Sequence, residues 1–468
     1  MKKFNESKLE IYLLIAIILF GAFLRFYSLS SAPLWVDESI SIESASRILQ
    51  TGTPTYESGM VDSRAYVFHY IQSFFMLFGN GEGFARLVSV LFGILTILLV
   101  YKLGKEYSKY GGLISALFLA VFYLEVFFSR HARMYQMFQF LFFLSIYLLY
   151  KSKENIRYLY FALASLVVCF DTQIAALVLC PFFILHIWKY NKKQRFLSII
   201  PLLLIISKFL PSSSLVTENP DSISNYAFSY LGYAGNIIFL LVLAILGAVW
   251  AFSRNYSLTG YILVPSIILL FGVFSLETFA LRYAYFFVFP IILYSSLLLS
   301  FLYERYGGII ILAIVLLLLL PSNLFYPQTY SNVIYPVTYQ FADSSAPYTD
   351  YKTVPMQLKE EIRNSTLISL FSLDVQYYIK KPDYVIPFSM NGLGEDQISY
   401  NSTKGTVDRY SGAAILNYSS LPNKPFFVVA DAFSLSKLKP TQTELFLNLT
   451  ENCTERYIRP DLGIVECQ

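Results

Sequence analysis

Pro33-Leu34-Trp35-Val36-Asp37-Glu38-Ser39 stands just behind the first hydrophobic run of the chain and sets two adjacent carboxylates beside a tryptophan suited to a lipid–water boundary. In the stretch that follows, at about 100° per residue, Ile42, Ala45, Ile48 and Leu49 share one side. Ser39, Glu43, Ser46 and Arg47 share the other. The pattern predicts a helix lying on a membrane surface, with Asp37 and Glu38 in its first turn, where the helix dipole favours anions. Acids are common in first turns, so taken alone the pair reads as an ordinary helix start. The rest of the chain changes that balance.

Of 468 residues, 56% are hydrophobic, 18% aromatic and only 14% charged. Soluble domains carry about 25% charged residues, so much of this chain belongs in lipid. A formal charge of +4 without a basic run gives no footprint for nucleic acid. Met1-Lys2-Lys3 leads into an apolar run from Ile11 to Leu24 with no small-residue cleavage site behind it, which predicts an uncleaved first span. Cys169 and Cys180 fall inside apolar segments and read as small buried hydrophobes. Cys453 and Cys467 lie in a polar C-terminal region and are placed to form a disulfide if that region is outside the cell.

Hydrophobic segments of spanning length occur at 9–29, 84–104, 111–128, 134–150, 158–176, 174–188, 196–211, 231–252, 258–276, 284–302 and 309–325, the fifth and sixth sharing a boundary near Asp171. The apolar stretch 65–78 is short, contains His69 and Gln72, and is expected in the interface. About eleven transmembrane helices put the termini on opposite sides. One set of connections holds Lys2, Lys3 and Lys8; Lys102, Lys105 and Lys109; Lys151, Lys153 and Arg157; Lys189, Lys192, Lys193 and Arg195; Arg254; and Arg305. The alternate connections hold almost no lysine, so the N-terminus is expected in the cytoplasm and the C-terminus outside.

The outer side keeps arginines: Arg25, Arg47, Arg64, Arg86, Arg130, Arg133 and Arg282, with Lys208 the one lysine nearby. Arginine at the centre of a span costs about 2.5–3.5 kcal/mol, and its planar fork suits a phosphate. Snorkelling anchors are an equal reading for Arg25 and Arg86. From Tyr326 the hydrophobic runs shorten to strand length. Strands are expected at 366–371, 384–388, 426–430 and 463–466, and helices at 373–380 and 434–448. Residues 1–325 therefore read as a membrane domain and 326–468 as an extracytoplasmic α/β domain, for which acceptor selection or a cover over the site is the expected role. Asn-x-Ser/Thr acceptors at Asn364, Asn401, Asn417, Asn448 and Asn452 agree with an outside location.

Asp37-Glu38, Ser129-Arg130-His131-Ala132-Arg133-Met134-Tyr135, Asp171-Thr172-Gln173 and the segment from Glu277 through Arg282-Tyr283 each lie where a span meets the outer surface. One base among several arginines at lipid depth suits attack by a hydroxyl on a sugar carried by a lipid phosphate. The carboxylate accepts the hydroxyl proton and guanidinium groups hold the departing phosphate. Burial and the neighbouring Glu38 are expected to raise Asp37 from its ordinary range. No glycine-rich phosphate loop, zinc spacing or nucleophile elbow appears in the sequence.

These stretches resemble membrane glycosyltransferases of the GT-C class, in the branch of protein O-mannosyltransferases and lipid A aminoarabinose transferases. Leu24-Arg25-Phe26-Tyr27 through Trp35-Val36-Asp37-Glu38 is similar to the end of span one and the acidic motif of the first outer loop. Phe84-Ala85-Arg86 through Phe92-Gly93 is similar to the entry to span two, Ser129 to Tyr135 to the second outer loop, and Arg282-Tyr283 before Pro290 to a late motif. The resemblance covers residues 11 to 300 or so. It implies a GT-C fold and inverting transfer at the outer membrane face from a polyprenyl (dolichyl) monophosphate sugar to a glycan, protein or lipid hydroxyl. Asp37 matches the catalytic base and Glu38 its acidic neighbour. Arg130, Arg133, Tyr135 and Arg282 are the expected donor-phosphate contacts, with His131, Asp171, Lys208, Glu277 and Tyr283 as further substrate contacts. Many relatives carry an acid in the second loop where this chain has His131, the nearest acid being Glu125. No metal and no cofactor are therefore expected. The alternative reading is a transporter or flippase for a lipid-linked saccharide, though the paired halves common in transporters do not appear in the sequence.

Overall fold

The computed structural model describes residues 2–190, 192–209, 238–274, 281–308, 349–388, 398–401, 405–417, 422 and 425–468. In chain order the helices are α1 (Lys2–Phe26), α2 (Val36–Thr51), α3 (Tyr66–Met76), α4 (Glu82–Lys105), α5 (Gly111–Val121), α6 (Tyr123–Ser129), α7 (Tyr135–Lys151) and α8 (Arg157–Thr172). A 3-10 turn, Ile174–Leu179, leads into α9 (Cys180–Ile187), followed by α10 (Lys192–Phe209), α11 (Ile238–Arg254), α12 (Tyr256–Phe274), the single turn α13 (Leu281–Ala284) and α14 (Val288–Tyr306). The C-terminal chain adds α15 (Met356–Arg363), α16 (Ser372–Tyr378), α17 (Ala432–Ser436) and α18 (Pro440–Thr450). Two compact units form: Met1–Leu29 with Arg86–Pro336, and Ser30–Ala85 with Val337–Gln468.

The first unit is helical and apolar. Among the described residues four helices are long and apolar enough to cross a membrane, Lys8–Phe26, Glu82–Lys105, Tyr256–Val273 and Arg282–Tyr306, and the pair α5–α6, bent by 62°, adds a fifth if it is one span. Helices α7, α8, α9 and α11 fall where spans were expected but run shorter than the ~20 residues of a perpendicular crossing. The expected span 309–325 lies outside the described residues. The boundary anticipated near Asp171 falls at Gln173, an extended residue between α8 and the 3-10 turn.

Neither proline nor glycine causes the bend between α5 and α6. Phe122 takes an extended conformation (φ −66°, ψ 126°), and the carbonyls this frees at the end of α5 need donors. Arg25, fully buried, supplies them. Its Nη1 donates to the Ala120 and Gly21 carbonyls at 3.0 Å, its Nη2 reaches the Leu119 carbonyl at 3.4 Å, and its Nε donates to Ser129 Oγ at 3.0 Å. Arg25 is therefore a clamp between α1, α5 and α6 and not a snorkelling anchor. Elsewhere α11 lies so close along α14 that a Cβ on Gly247 would stand 1.9 Å from the Tyr294 carbonyl, a small-residue contact of the kind that lets membrane helices approach. Phe143 of α7 stacks on Phe289 of α14 at 4.1 Å.

The second unit is built on an eight-stranded sheet of order β3-β4-β5-β2-β1-β6-β8-β7. The strands are β1 (Thr366–Ser369), β2 (Tyr384–Val385), β3 (Ile398–Asn401), β4 (Gly405–Asp408), β5 (Ala414–Ile415), β6 (Phe426–Asp431), β7 (Thr454–Ile458) and β8 (Leu462–Cys467). β5, β2, β1 and β6 run parallel, and the remaining pairings are antiparallel. β6 is buried at every position, as its unbroken Phe-Phe-Val-Val-Ala run requires of a central strand. Ile368, Leu370, Ile386, Leu416, Phe426 and Val428 make the core, with Phe446 and Leu449 of α18 packed on it. The four strands expected from sequence are β1, β2, β6 and β8, and the helix expected at 434–448 is two helices parted before Pro440. A disulfide joins Cys453 to Cys467.

The segment Ser30–Ala85 folds with this sheet. α2 and α3 pack together around Asp62, whose Oδ2 accepts from Ser44 Oγ at 2.7 Å and from the Tyr56 hydroxyl at 2.9 Å, with His69 Nε2 at 3.4 Å. The amphipathic surface helix expected here is corrected. Ser39 on its polar side is buried, and Glu43, Ser46 and Arg47 there are half-buried, since α16 packs on that side through Asp374 and Gln376; Trp35 is buried within the unit. α3 has eleven residues, too few to span, and exposes Phe74 with Leu77 and Phe78 just beyond its end.

Arg25→Lys tests the clamp with the charge kept. One ammonium cannot reach the end of α5 and Ser129 together, so the variant is expected to lose about 1–3 kcal/mol and to melt lower in detergent. A wild-type melting curve would show that charge alone suffices.

Candidate functional site

The residues singled out in the sequence divide between the two units. Asp37 and Glu38 belong to the second. Arg130, His131, Arg133, Tyr135, Asp171, Arg282 and Tyr283 belong to the first. Glu277 lies outside the described residues, as does the side chain of Lys208 in α10.

In the second unit the turn Leu34–Ser39 begins α2. Trp35 takes the extended conformation of an N-cap, and Glu38 Oε2 accepts its amide at 3.0 Å. This is the acidic half of a capping box. An indole only donates, so Trp35 supplies no reciprocal side-chain bond. Glu38 is fully buried and closes the turn that carries its neighbour. Asp37, one residue earlier in the same turn, retains 8% of its surface exposed. Tyr410, from the hairpin between β4 and β5, lies within its electrostatic reach.

Two carboxylates that the sequence reading did not single out stand behind this turn. Asp374, in the first turn of α16, accepts from Ser39 Oγ. Its pKa is pushed up to about 7 by burial, opposed by the Ser39 hydroxyl and assisted by the Asp431 and Glu38 carboxylates. Asp431, at the end of β6, accepts the Ser434 amide at 2.8 Å and stands 3.4 Å from the Tyr351 hydroxyl; burial raises it too. Only a polar face on α2, facing another element, could have signalled Asp374.

In the first unit the loop 130–134, expected on the outer side, is a tight turn between α6 and α7. Arg130 is 3% exposed, and its two terminal nitrogens are turned to the end of α1. Nη1 donates to the Leu24 and Tyr27 carbonyls at 2.9 and 2.6 Å, and Nη2 reaches the Ser28 carbonyl at 3.3 Å. Arg86 Nη1 donates to the Leu29 carbonyl at 2.8 Å. Arg130, an expected donor-phosphate contact, thus also caps the end of α1, where the last carbonyls need donors. His131 is buried, with Nδ1 2.7 Å from the Phe127 carbonyl and its ring 4.2 Å from that of Phe127, so it terminates α6.

Arg133 is half-buried, with its guanidinium over the Tyr135 ring at 5.8 Å; its carbonyl accepts from Ser89 Oγ at 3.0 Å. Arg282 is likewise half-buried beside Tyr283, 5.1 Å from the ring. The late motif is tied to the second loop through Tyr285. Its ring lies 4.1 Å from that of Phe128, and its hydroxyl is 2.8 Å from Glu125 Oε2 and 2.5 Å from Gln136 Oε1. Gln139 Nε2 donates to Glu125 Oε1 at 2.8 Å, and Gln136 Nε2 to Thr96 Oγ1 at 3.1 Å. This buried network joins α4, α6, α7 and the 3-10 turn Tyr285–Phe287, and so fixes the frame from which Arg133 and Arg282 project. Asp171 is half-buried at the end of α8. Among the described residues no three His, Cys, Asp or Glu side chains are grouped to hold a metal ion.

Residues 63–215 match the model of the dolichyl-phosphate-mannose-protein mannosyltransferase family, a stretch that begins after Asp37. No curated protein is significantly similar to the chain in sequence. Solved structures share its fold. ArnT from Cupriavidus metallidurans in the apo state superposes with a TM-score of 0.63 at 12% identity, covering 98% of each chain. The same protein bound to undecaprenyl phosphate gives 0.58 at 14% identity over 97% of each chain. The oligosaccharyltransferase of Archaeoglobus fulgidus, in complex with zinc and sulfate, gives 0.56 at 11% identity over 90% of this chain and 68% of that one. The matched family and these neighbours are GT-C glycosyltransferases. The chain has their fold and is a multi-pass membrane protein.

The position of Asp374 has a pH signature. Unfolded, it releases its proton near 3.8; folded, near about 7. The native state therefore binds more protons between those values, and this group's contribution to stability falls as pH rises from about 4 to about 7. Asp374→Asn removes that slope, so its melting temperature relative to wild type should rise between pH 5 and pH 8. An unchanged difference across that range would contradict the assignment.

Proposed function

We propose that this multi-pass GT-C membrane protein transfers a sugar from a polyprenyl (dolichyl) monophosphate donor to an acceptor hydroxyl at the outer membrane face, with inversion. The observation that carries the reading is Asp37, a carboxylate 8% exposed and held in a helix turn whose neighbour Glu38 is committed to closing that turn. The family match to residues 63–215 and the undecaprenyl phosphate bound by ArnT support the choice of donor.

In this reaction the Asp37 carboxylate takes the proton of the acceptor hydroxyl as its oxygen attacks the anomeric carbon. The bond from that carbon to the phosphate oxygen breaks on the opposite side, and the lipid monophosphate leaves with the electron pair. Arg133 and Arg282 neutralise the charge it gains, and Tyr135 orients Arg133 from below its guanidinium. Asp171 and Tyr283 are assigned to the substrates. The acceptor is a hydroxyl of a glycan, protein or lipid. Lysine-rich connections support a cytoplasmic N-terminus, and the Cys453–Cys467 disulfide supports an extracytoplasmic C-terminal chain.

Asp37→Asn should abolish transfer from dolichyl-phosphate mannose or a prenyl-phosphate pentose in proteoliposomes, with folding intact by size exclusion. Arg133→Ala should raise the donor KM by about 10- to 100-fold. Normal turnover in the Asp37 variant would remove it as the base. Movement of donor lipid across the bilayer without a new glycosidic bond would favour the transporter reading.

A further inference from the structure

In open α/β sheets ligands bind beyond the carboxyl ends of the parallel strands, at the point where the strand order reverses. Here that point lies between β1 and β6. From β1 the chain proceeds to β2 on one side, and β6 joins on the other. β1 leads through Leu370 and Phe371 into α16, and β6 ends at Asp431. The crevice is filled by the protein itself. Ser39 Oγ donates to Asp374, and the Leu34 amide donates to the Tyr378 hydroxyl at 2.8 Å, which is itself 3.2 Å from Glu82 Oε1. Further along α2, Gln376 Nε2 reaches Glu43 Oε2 at 3.4 Å.

A second element closes on the same segment from the β4–β5 hairpin. Asp408 Oδ2 accepts the Ser372 hydroxyl at 2.8 Å and the Ser411 and Tyr410 amides at 2.7 and 3.2 Å, so the hairpin and the start of α16 are one piece. The Tyr410 ring meets Tyr56 edge-on at 5.4 Å. Gly412, at φ 65°, lies so near the Glu57 backbone that a Cβ would stand 3.1 Å from it, and Ser58 Oγ donates to the Arg409 carbonyl. Lys381 pairs with Glu57.

We infer that the C-terminal sheet domain is a positioning device for Asp37, seating the Leu34–Ser39 turn in its own switch-point crevice through Asp374 and Tyr378. The inference rests on Asp37 as the proposed base. It replaces acceptor selection as the domain's first task. Asp374 and Tyr378 touch no substrate; they hold both ends of the turn whose middle carries the carboxylate. A displacement of about 1 Å at a reacting group costs on the order of 100-fold in rate, so loosening the turn should be read in kcat.

The test uses the full-length protein in nanodiscs, with Ser39→Ala, Asp374→Ala and Tyr378→Phe beside the conservative Ser39→Thr and Asp374→Asn, which keep a hydroxyl donor and an oxygen acceptor. Hydrogen exchange of the 34–39 amides is expected to quicken in the first set by about 10-fold or more and to stay at wild-type rates in the second. With dolichyl-phosphate mannose, or whichever prenyl-phosphate sugar turns over, kcat should fall by about 10- to 100-fold in the first set at an unchanged donor KM. The conservative variants should restore it. Wild-type exchange in the first set overturns the inference, as does faster exchange with unaltered kcat, since the contacts would then be structural only. Asp37→Asn is measured alongside: turnover there overturns the base assignment and leaves the exchange result standing.

Discussion

A helix that ends among apolar neighbours must find donors for its last carbonyls, and the helical unit meets this requirement with arginine. Arg25 serves the end of α5, and Arg130 and Arg86 serve the end of α1 and the turn beyond it. One planar fork reaches several carbonyls at once, which an ammonium cannot do. The same requirement explains why the connections predicted to lie outside keep arginine and almost no lysine. A preference that looks like phosphate chemistry in the sequence is in large part backbone satisfaction.

Arg25, Arg86 and Arg130 each donate to backbone carbonyls, a demand the arginines of the candidate site meet alongside any anion. Arg133 and Arg282 are half-buried, and both project from a frame set by the buried network around Glu125, Gln136, Gln139 and Tyr285. Such a network is stable only when nearly every member is satisfied, so it holds one geometry. In the other unit the division of labour between the paired acids follows the same logic. Glu38 saturates the amide at the start of its own helix, and Asp37 retains exposure.

Much of the fold was legible because it rests on hydropathy. The helical segments, the strands β1, β2, β6 and β8, and the acidic turn at Asp37 all follow from runs of apolar residues or their interruption. The break at Phe122 was not legible, since no proline or glycine marks it and the donor that sustains it comes from α1. The strands β3, β4 and β7 are polar and β5 has only two residues, so none shows the periodicity that identifies a strand. The union of Ser30–Ala85 with the C-terminal chain was hidden for another reason. Local pattern assigned Ser39 to solvent or headgroups, whereas its partner Asp374 lies more than three hundred residues away in sequence.

The contact between α11 and α14 has a consequence for how the protein is made. α11 presents lipid-facing residues such as Ile245, Leu246 and Val249, yet at Gly247 its backbone meets the backbone of a helix separated from it by the whole of α12. Because the ribosome makes α14 after α11, the seat at Gly247 can close only once α14 follows, so this contact between two segments delivered apart is a late one in assembly.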